Sequence, residues 1–333
     1  MNDPFAGKSS AECRTMMLSA DISAFFPDIE YTEHAIKAEN MRGNTSKAYR
    51  SSLIVFASWL VIQCPGQTFR SVMVDDIRNY IDFLQKHRGL RPNTVNSYVA
   101  AIRKMFHVLR NEELNKRVLP DLVVDVYIPK VPSVEQVAMM LHASKTISTL
   151  DYLFVVLLIA TGVRFSEALR LRFSDIRKDT MQIYISAQSK GRNDRLVPMP
   201  PDLLNVLTQY CREYNAAHHG TPLTQDDYIF FNKDRTGPMK PHILRKEFAR
   251  IQQAAGLVSK GFTPHSCRHY MALQYYLQSH DILLIKRLLG HKSLAATEVY
   301  LVLAASIEAQ TRYISPLTMA LNQDEPHKDG DSQ

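Results

Sequence analysis

Three apolar stripes at helical spacing mark the first ordered part of the chain. Tyr49, Leu53, Phe56 and Leu60 make the first, and Val74, Ile77, Ile81 and Leu84 the second. After Arg91-Pro92, Val95, Tyr98, Ile102, Phe106 and Leu109 make the third. Steps of three and four residues put each set on one helix face, so residues 45–110 predict three or four helices sharing a core. The period fails over residues 111–133, where Pro120, Pro129 and Pro132 fall, and this stretch reads as a linker. Residues 1–40 carry no sustained stripe. Ala35 to Glu39 has helical character that Asn40, Gly43 and Asn44 should end, so a weakly packed or disordered arm is expected there.

The pattern resumes at Ser133 in another form. Ser133 and Gln136 have the spacing of a capping box, predicting a helix to about His142. Leu150 to Ala160 reads as a buried helix, and Thr161-Gly162 stops it. A further helix begins at Arg164 and carries Glu167, Leu169 and Leu171. Met181 to Ala187 alternates as a strand, Ser189 to Asn193 is a polar turn holding Lys190, and Arg195 to Pro198 returns as a second strand. Residues 201–214, 240–255, 264–278, 280–289 and 293–300 predict helices, and Tyr228 to Phe231 a short strand. The polar stretch 322–333 predicts disorder.

A length of 333 residues suggests two domains, and 45% hydrophobic residues suffice for packed cores. The longest apolar run, Tyr152 to Ala160, is too short for a bilayer, so no membrane association is expected. The N-terminus has Asp3 and Glu12 and no apolar leader core, and Cys13, Cys64, Cys211 and Cys267 show no zinc-ribbon spacing. These features predict a cytoplasmic protein with reduced thiols. The net charge of +7 is uneven. Residues 41–110 hold eleven Lys/Arg against three Asp/Glu, and residues 134–315 hold 22 against 15. Residues 1–40 hold three against seven. Two basic bodies with acidic ends suit a polyanion partner. Arg91, Arg103, Lys104 and Arg110, around the third stripe, are the candidate DNA contacts.

Candidate chemistry concentrates in residues 263–300. His265 and Arg268 lie three apart on a helix opened by Thr263 and Pro264, His291 follows a stop at Gly290, and Tyr300 follows nine residues later. Such groups can hold a phosphodiester, move protons and attack it. Arginine meets phosphate at two points, for which the chain offers Arg164 and Arg268. A lysine on a turn, Lys190, suits protonation of a leaving oxygen, and a tyrosine can form a reversible ester. Simpler readings stand beside each residue. Arg164 and Glu167 at three apart make an ordinary helix ion pair, and a lone histidine is usually structural. His265 and His269 have the spacing of a zinc helix, but Ser266 stands where that motif has glutamate and Arg268 would put a cation beside the metal. No metal site and no GxxxxGK[ST] phosphate loop is read, and no cofactor is expected.

Taken together, TG-x-R-x-SEAL-x-L around Arg164, the hairpin QSKGRNDRLVPMP, H-x-x-RH, and LGH followed by Tyr300 resemble the tyrosine recombinases of the phage-integrase type. The resemblance is close over residues 133–315, and weaker over 45–110, which look like the family's helical core-binding domain. It implies a mainly α fold with a small antiparallel β-sheet in an α+β catalytic domain. An all-α helical-bundle DNA-binding domain would complete a two-domain DNA clamp. The implied layout is an arm (1–40), a core-binding domain (41–114), a linker (115–132), a catalytic domain (133–315) and a polar tail (316–333).

The resemblance also implies roles. Arg164 and Arg268 would clamp the scissile phosphate and His265 would act as general base or phosphate donor. Lys190 would protonate the 5′ oxygen, His291 would bond the phosphate, and Tyr300 would form the 3′-phosphotyrosyl bond. Glu167 matches the family's acidic position and would orient its neighbours. Cys267 departs from the larger apolar residue frequent before the arginine, a matter of packing. The implied partner is double-stranded DNA with an inverted-repeat core site, bound as a homotetramer on two synapsed sites. Two other classes fit parts of the pattern: a type IB topoisomerase, with similar chemistry but acting as a monomer, and a DNA-binding protein with a relic site.

Overall fold

The computed structural model describes residues 3–39, 43–110, 112, 114, 116–124, 128–187, 194–218 and 220–312. The chain divides into two compact units, residues 1–125 and 126–333.

The first unit is helical: α1 (Ser10–Leu18), α2 (Phe26–Ala38), α3 (Gly43–Gln63), α4 (Val74–Lys86) and α5 (Pro92–Arg110). The three stripes become the buried faces of α3, α4 and α5. Phe56, Trp59 and Tyr80 form the centre of the core, with Phe56 and Tyr80 ring centroids 4.8 Å apart.

The expected loose arm is corrected. Phe5, Cys13, Met17, Phe25 and Ile29 are buried in this same core. Helix α1 is started by a reciprocal cap, in which Ser9 N–H donates to Glu12 (2.7 Å) and Glu12 N–H donates to Ser9 (3.3 Å). The stripe was hidden because it is split between two short helices, and because the acidic residues on the outer faces dominate the composition. Gly43 and Asn44 open α3 rather than only ending what precedes them.

Part of the expected linker is fastened to this unit. Asn96 on α5 exchanges two hydrogen bonds with the backbone of Leu122, at 2.8 and 2.9 Å. Arg103 donates to Asp121 at 2.6 Å and to the Leu119 carbonyl.

The second unit comprises α6 (Val134–Ile147), α7 (Thr149–Thr161), α8 (Phe165–Ala168), β1 (Ile176–Arg177), β2 (Gln182–Ile185) and β3 (Arg195–Pro198). It continues with α9 (Pro201–Ala217), α10 (Pro241–Ala254), α11 (Pro264–Ser279), α12 (Ile282–Leu289) and α13 (Ala295–Arg312). The mostly apolar α7 lies at its centre and packs against α6, α9, α10 and α11. Ser133 and Gln136 form the expected capping box on α6.

The three strands form an antiparallel sheet in the order β1-β2-β3, with Ile183 paired to Ile176 on one side and Val197 on the other. Strand β1 has two residues, too few to leave a period of two in the sequence. Tyr228 to Phe231 forms isolated bridges, Arg172 to Tyr228 and Phe231 to Pro238, instead of a strand. The last helix begins at Ala295, not Ser293, and runs to Arg312, so Tyr300 sits in its second turn. No helix among the described residues is long and apolar enough to cross a membrane.

Candidate active site

Two left-handed glycines shape the site. Gly162 (φ 58°) closes α7 and Gly290 (φ 62°) closes α12, a conformation that costs a residue with a Cβ. A helix end leaves carbonyls without intrahelical donors. Here, three consecutive carbonyls at the end of α12 each take a different arginine. Leu288 accepts from Arg195 Nε (2.8 Å), Leu289 from Arg268 Nη2 (2.6 Å), and Gly290 from Arg164 Nη2 (3.1 Å). The Gly162 carbonyl holds the other arm of Arg268, at 2.5 Å from Nη1. Cations at a helix C-terminus also meet the negative end of its dipole.

Glu167, in the single turn of α8, ties this set together. Its carboxylate accepts from Arg164 Nη1 (2.8 Å), Arg195 Nη1 (3.1 Å), Arg195 Nη2 (2.6 Å) and the Arg164 backbone N–H (2.8 Å). Burial alone would raise its pKa. The bonds and charge of Arg195, with those of Arg164, more than offset that and hold it at about 2. Three guanidiniums around one carboxylate leave a surplus of positive charge. Burial, then the Arg164 charge, disfavours the Arg268 cation, a cost that an incoming anion would relieve.

Helix α13 completes the centre. Arg268 Nη2 lies 3.2 Å from His291 Nε2, and His291 Nδ1 lies 2.9 Å from the Thr297 hydroxyl. Since the guanidinium can only donate, this network assigns His291 the tautomer with its hydrogen on Nδ1, donating to Thr297. Burial first, then Arg268, pushes the His291 pKa down to about 3, so the ring is neutral. One turn beyond Thr297, the Tyr300 hydroxyl lies 2.9 Å from His269 Nδ1. Tyr300 is buried beside Met271, Ile285 and Leu289. Burial raises its pKa to about 12, against the pull of Arg268 and Arg164. His265, whose residue is exposed in the first turn of α11 while its ring is partly desolvated against the protein, has its pKa lowered first by that desolvation, then by Arg268 and Arg164.

Arg164, Glu167, Arg268, His291 and Tyr300 therefore come together from α8, α11, α12 and α13, with His265 at the rim. Lys190 lies outside the described residues. The sequence reading passed over Arg195, His269 as a partner of Tyr300, and Thr297. Arg195 had only one signal, a charged residue opening a strand whose other members are apolar or proline.

The DNA candidates of the first unit fare differently. Arg91 is exposed at the start of α5. Arg103 is committed to Asp121, and Lys104 to Glu39 at 2.5 and 2.7 Å. Arg110 donates to the Val72 carbonyl (2.8 Å) and Glu112 (3.0 Å) and lies over the Phe106 ring.

The chain belongs to the phage integrase family, whose model matches residues 131–306, and the phage integrase N-terminal SAM-like domain matches residues 29–113. Members of this family, the tyrosine recombinases, carry out site-specific DNA recombination through a phosphotyrosine linkage. Among its relatives, the tyrosine recombinase XerD of Listeria innocua serovar 6a is 26% identical over 285 residues, covering 81% of this chain and 92% of that protein. The putative integrase/recombinase y4qK of Sinorhizobium fredii is 29% identical over 273 residues, covering 81% and 82%. The fold matches the XerH site-specific recombinase bound to palindromic difH substrate, with TM-score 0.66, 19% identity, and 90% and 87% of the two chains covered. It also matches the Tn1549 transposon integrase in complex with circular intermediate DNA, with TM-score 0.62, 20% identity, and 84% and 98% covered.

Proposed function

We propose that this chain cuts and rejoins duplex DNA at an inverted-repeat core site, with Tyr300 as the nucleophile. The observation that carries the assignment is the convergence of Arg164, Arg268, His291 and Tyr300 on the end of α12 and the helix that follows it. Arg164 and Arg268 each keep guanidinium N–H groups able to meet a non-bridging oxygen, and so stabilise charge that grows as the phosphorus becomes five-coordinate. His291 has its ring fixed by Arg268 and Thr297, and Arg268 shares its Nη2 between His291 and the Leu289 carbonyl. His265, exposed on the rim, serves as a further phosphate donor or as a general base. Glu167 orients two arginines and does not react.

Attack by the Tyr300 oxygen forms the P–O bond and breaks the bond to the 5′ oxygen, which takes its proton from Lys190. Bond energy is kept in the ester, so rejoining is the same reaction reversed and calls for neither nucleotide nor metal. The first unit serves as the DNA-binding module, and the working assembly is a homotetramer on two synapsed sites in the cytoplasm. The likeness in fold to the XerH site-specific recombinase bound to a palindromic difH substrate supports the inverted-repeat part of that reading.

The test is covalent trapping on duplexes nicked near the cleavage point, using inverted repeats from the DNA around the gene. Wild-type protein should form a protein–DNA adduct. Tyr300→Phe should bind the same DNA and form none. A normal adduct yield from Tyr300→Phe would remove it as the nucleophile, and no synapsis of two sites would remove the recombinase assembly.

A further inference from the structure

The hydrogen bond that ends at the Tyr300 hydroxyl comes from neither clamp arginine and none of the six residues picked out by motif. Its partner is His269, on α11, with Nδ1 at 2.9 Å and the two rings tilted by 49°. We propose that His269 is the base that receives the Tyr300 proton during attack on DNA, and the acid that returns it during rejoining. This rests on Tyr300 being the nucleophile.

The geometry favours His269 over the other histidines. His291 has both ring nitrogens occupied, Nε2 by Arg268 and Nδ1 by Thr297. His265 stands exposed at the rim and has no described bond to Tyr300. His269 is on the same helix one turn further in, half-buried, and already touches the reacting oxygen. Tyr300 is buried, so bulk water cannot easily take the proton from its hydroxyl.

The groups around His269 keep it unprotonated, at a cost in basicity that the negative charge of a phosphate bound beside Arg268 would reduce. His265 and Arg268 on its own helix, Tyr300 on α13 and His291 after α12 are the titratable groups about it. Burial first, then His265 and Arg268, pushes its pKa down to about 4, so the ring is neutral at physiological pH. A neutral ring with its hydrogen on Nε2 leaves Nδ1 bare to accept from the phenol. A buried phenol with a pKa of about 12 is a poor nucleophile until that proton moves.

The step balances without any other reactant. The phenol O–H bond breaks and its proton goes to Nδ1. The Tyr300 oxygen bonds to phosphorus, and the electron pair of the P–O5′ bond leaves with the 5′ oxygen, which is protonated by Lys190. In rejoining, the 5′ hydroxyl attacks, the Tyr300 oxygen leaves, and His269 gives its proton back. The imidazolium formed in the forward step lies close to the phosphate charge, which offsets the nearby Arg268.

The experiment compares wild type, Tyr300→Phe, His269→Asn and His269→Ala in adduct formation on nicked DNA, from pH 6 to 9, with and without added imidazole. Binding to the same DNA is measured in parallel. Asn places an oxygen about where Nδ1 lies, so it can hold the tyrosine but cannot take a proton. General-base removal is worth about 10²- to 10⁴-fold in rate. His269→Asn should bind DNA normally and lose about that much. His269→Ala should lose as much, rise roughly tenfold in rate per pH unit as hydroxide replaces the base, and recover in proportion to added imidazole. Asn or Ala variants cleaving at the wild-type rate would overturn the proposal. So would a loss with no imidazole rescue and an unchanged pH profile, which would make His269 structural. Wild-type protein that forms no adduct would instead defeat the nucleophile assignment on which the proposal rests.

Discussion

Arg164 and Arg268 are held by adjacent carbonyls of one helix end: Gly290 accepts from Arg164 at 3.1 Å, and Leu289 accepts from Arg268 at 2.6 Å. The two guanidiniums come from helices more than 100 residues apart in sequence. Their spacing is therefore set by the backbone of α12, with Arg195 on the Leu288 carbonyl as a third fixed point. A phosphate clamp needs this kind of prior arrangement, because donors that must reorganise as charge develops lose most of their advantage.

Gly290→Ala should damage the site more than an ordinary loop substitution. The residue has φ 62°, and a Cβ would lie 3.2 Å from Cδ and Nη1 of Arg195. The left-handed backbone alone costs about 1 kcal/mol for alanine. Displacement of Arg195 should add to this by loosening Glu167. Urea unfolding should show a loss of about 1–2 kcal/mol, and adduct formation should fall by more than that destabilisation predicts. A variant that cleaves normally would show that the α12 carbonyls do not set the clamp.

Glu167 should make stability depend on acid. Its folded pKa is about 2, below the ordinary glutamate value of 4.5, so its contribution is fully present above about pH 4.5 and is lost as pH falls through about 2. A gap of that size corresponds to about 3 kcal/mol at neutral pH. Glu167→Gln should therefore be less stable by up to about 3 kcal/mol at pH 7, with the difference from wild type shrinking between pH 4.5 and 3. A difference that stayed constant over that interval would mean that the carboxylate charge is not what holds Arg164 and Arg195.

Basic residues of the first unit should separate into two groups. Each phosphate contact contributes about 0.9 to the slope of log affinity against log salt. Arg91→Ala should lower DNA affinity and reduce that slope by about one contact. Arg103→Ala should leave the slope alone and weaken folding instead, because its guanidinium fastens Asp121 and Leu119 and its side chain is 17% exposed. A salt titration of binding beside a denaturant curve distinguishes the two. Arg103→Ala changing the slope as Arg91→Ala does would return Arg103 to the DNA surface.

What could be read in advance followed the strength of each local signal. The stripes of α4 and α5 and the mostly apolar α7 gave their helices almost whole, since burial there is one-sided or nearly complete. Arg164 and His291 were legible because the Gly162 and Gly290 stops stand close before them, and Arg268 because it lies three residues after His265 in H-x-x-RH. Arg195, Thr297 and the His269–Tyr300 bond were not, because each matters through a partner far away in the chain. The commitments of Lys104 to Glu39 and Arg103 to Asp121 were hidden for the same reason: net charge counts cations without showing which are already paired.

Lys190 should prove to be the general acid for the leaving 5′ oxygen. In sequence it falls between β2 and β3, and β3 begins at Arg195, which is bonded to Glu167 and to the end of α12. That brace fixes the start of β3 beside Glu167 and the end of α12. An alkoxide leaves badly, since its conjugate acid has a pKa near that of water, about 15.7. A thiolate leaves unaided, with a thiol pKa of about 8.5. DNA with sulfur at the bridging 5′ position should therefore restore cleavage by Lys190→Ala. It should not restore Arg164→Ala if that arginine, as proposed, meets the non-bridging oxygens, which the sulfur leaves unchanged. Equal rescue of both variants, or of neither, would take the proton-donor role from Lys190 and make His265 or a water the next group to test.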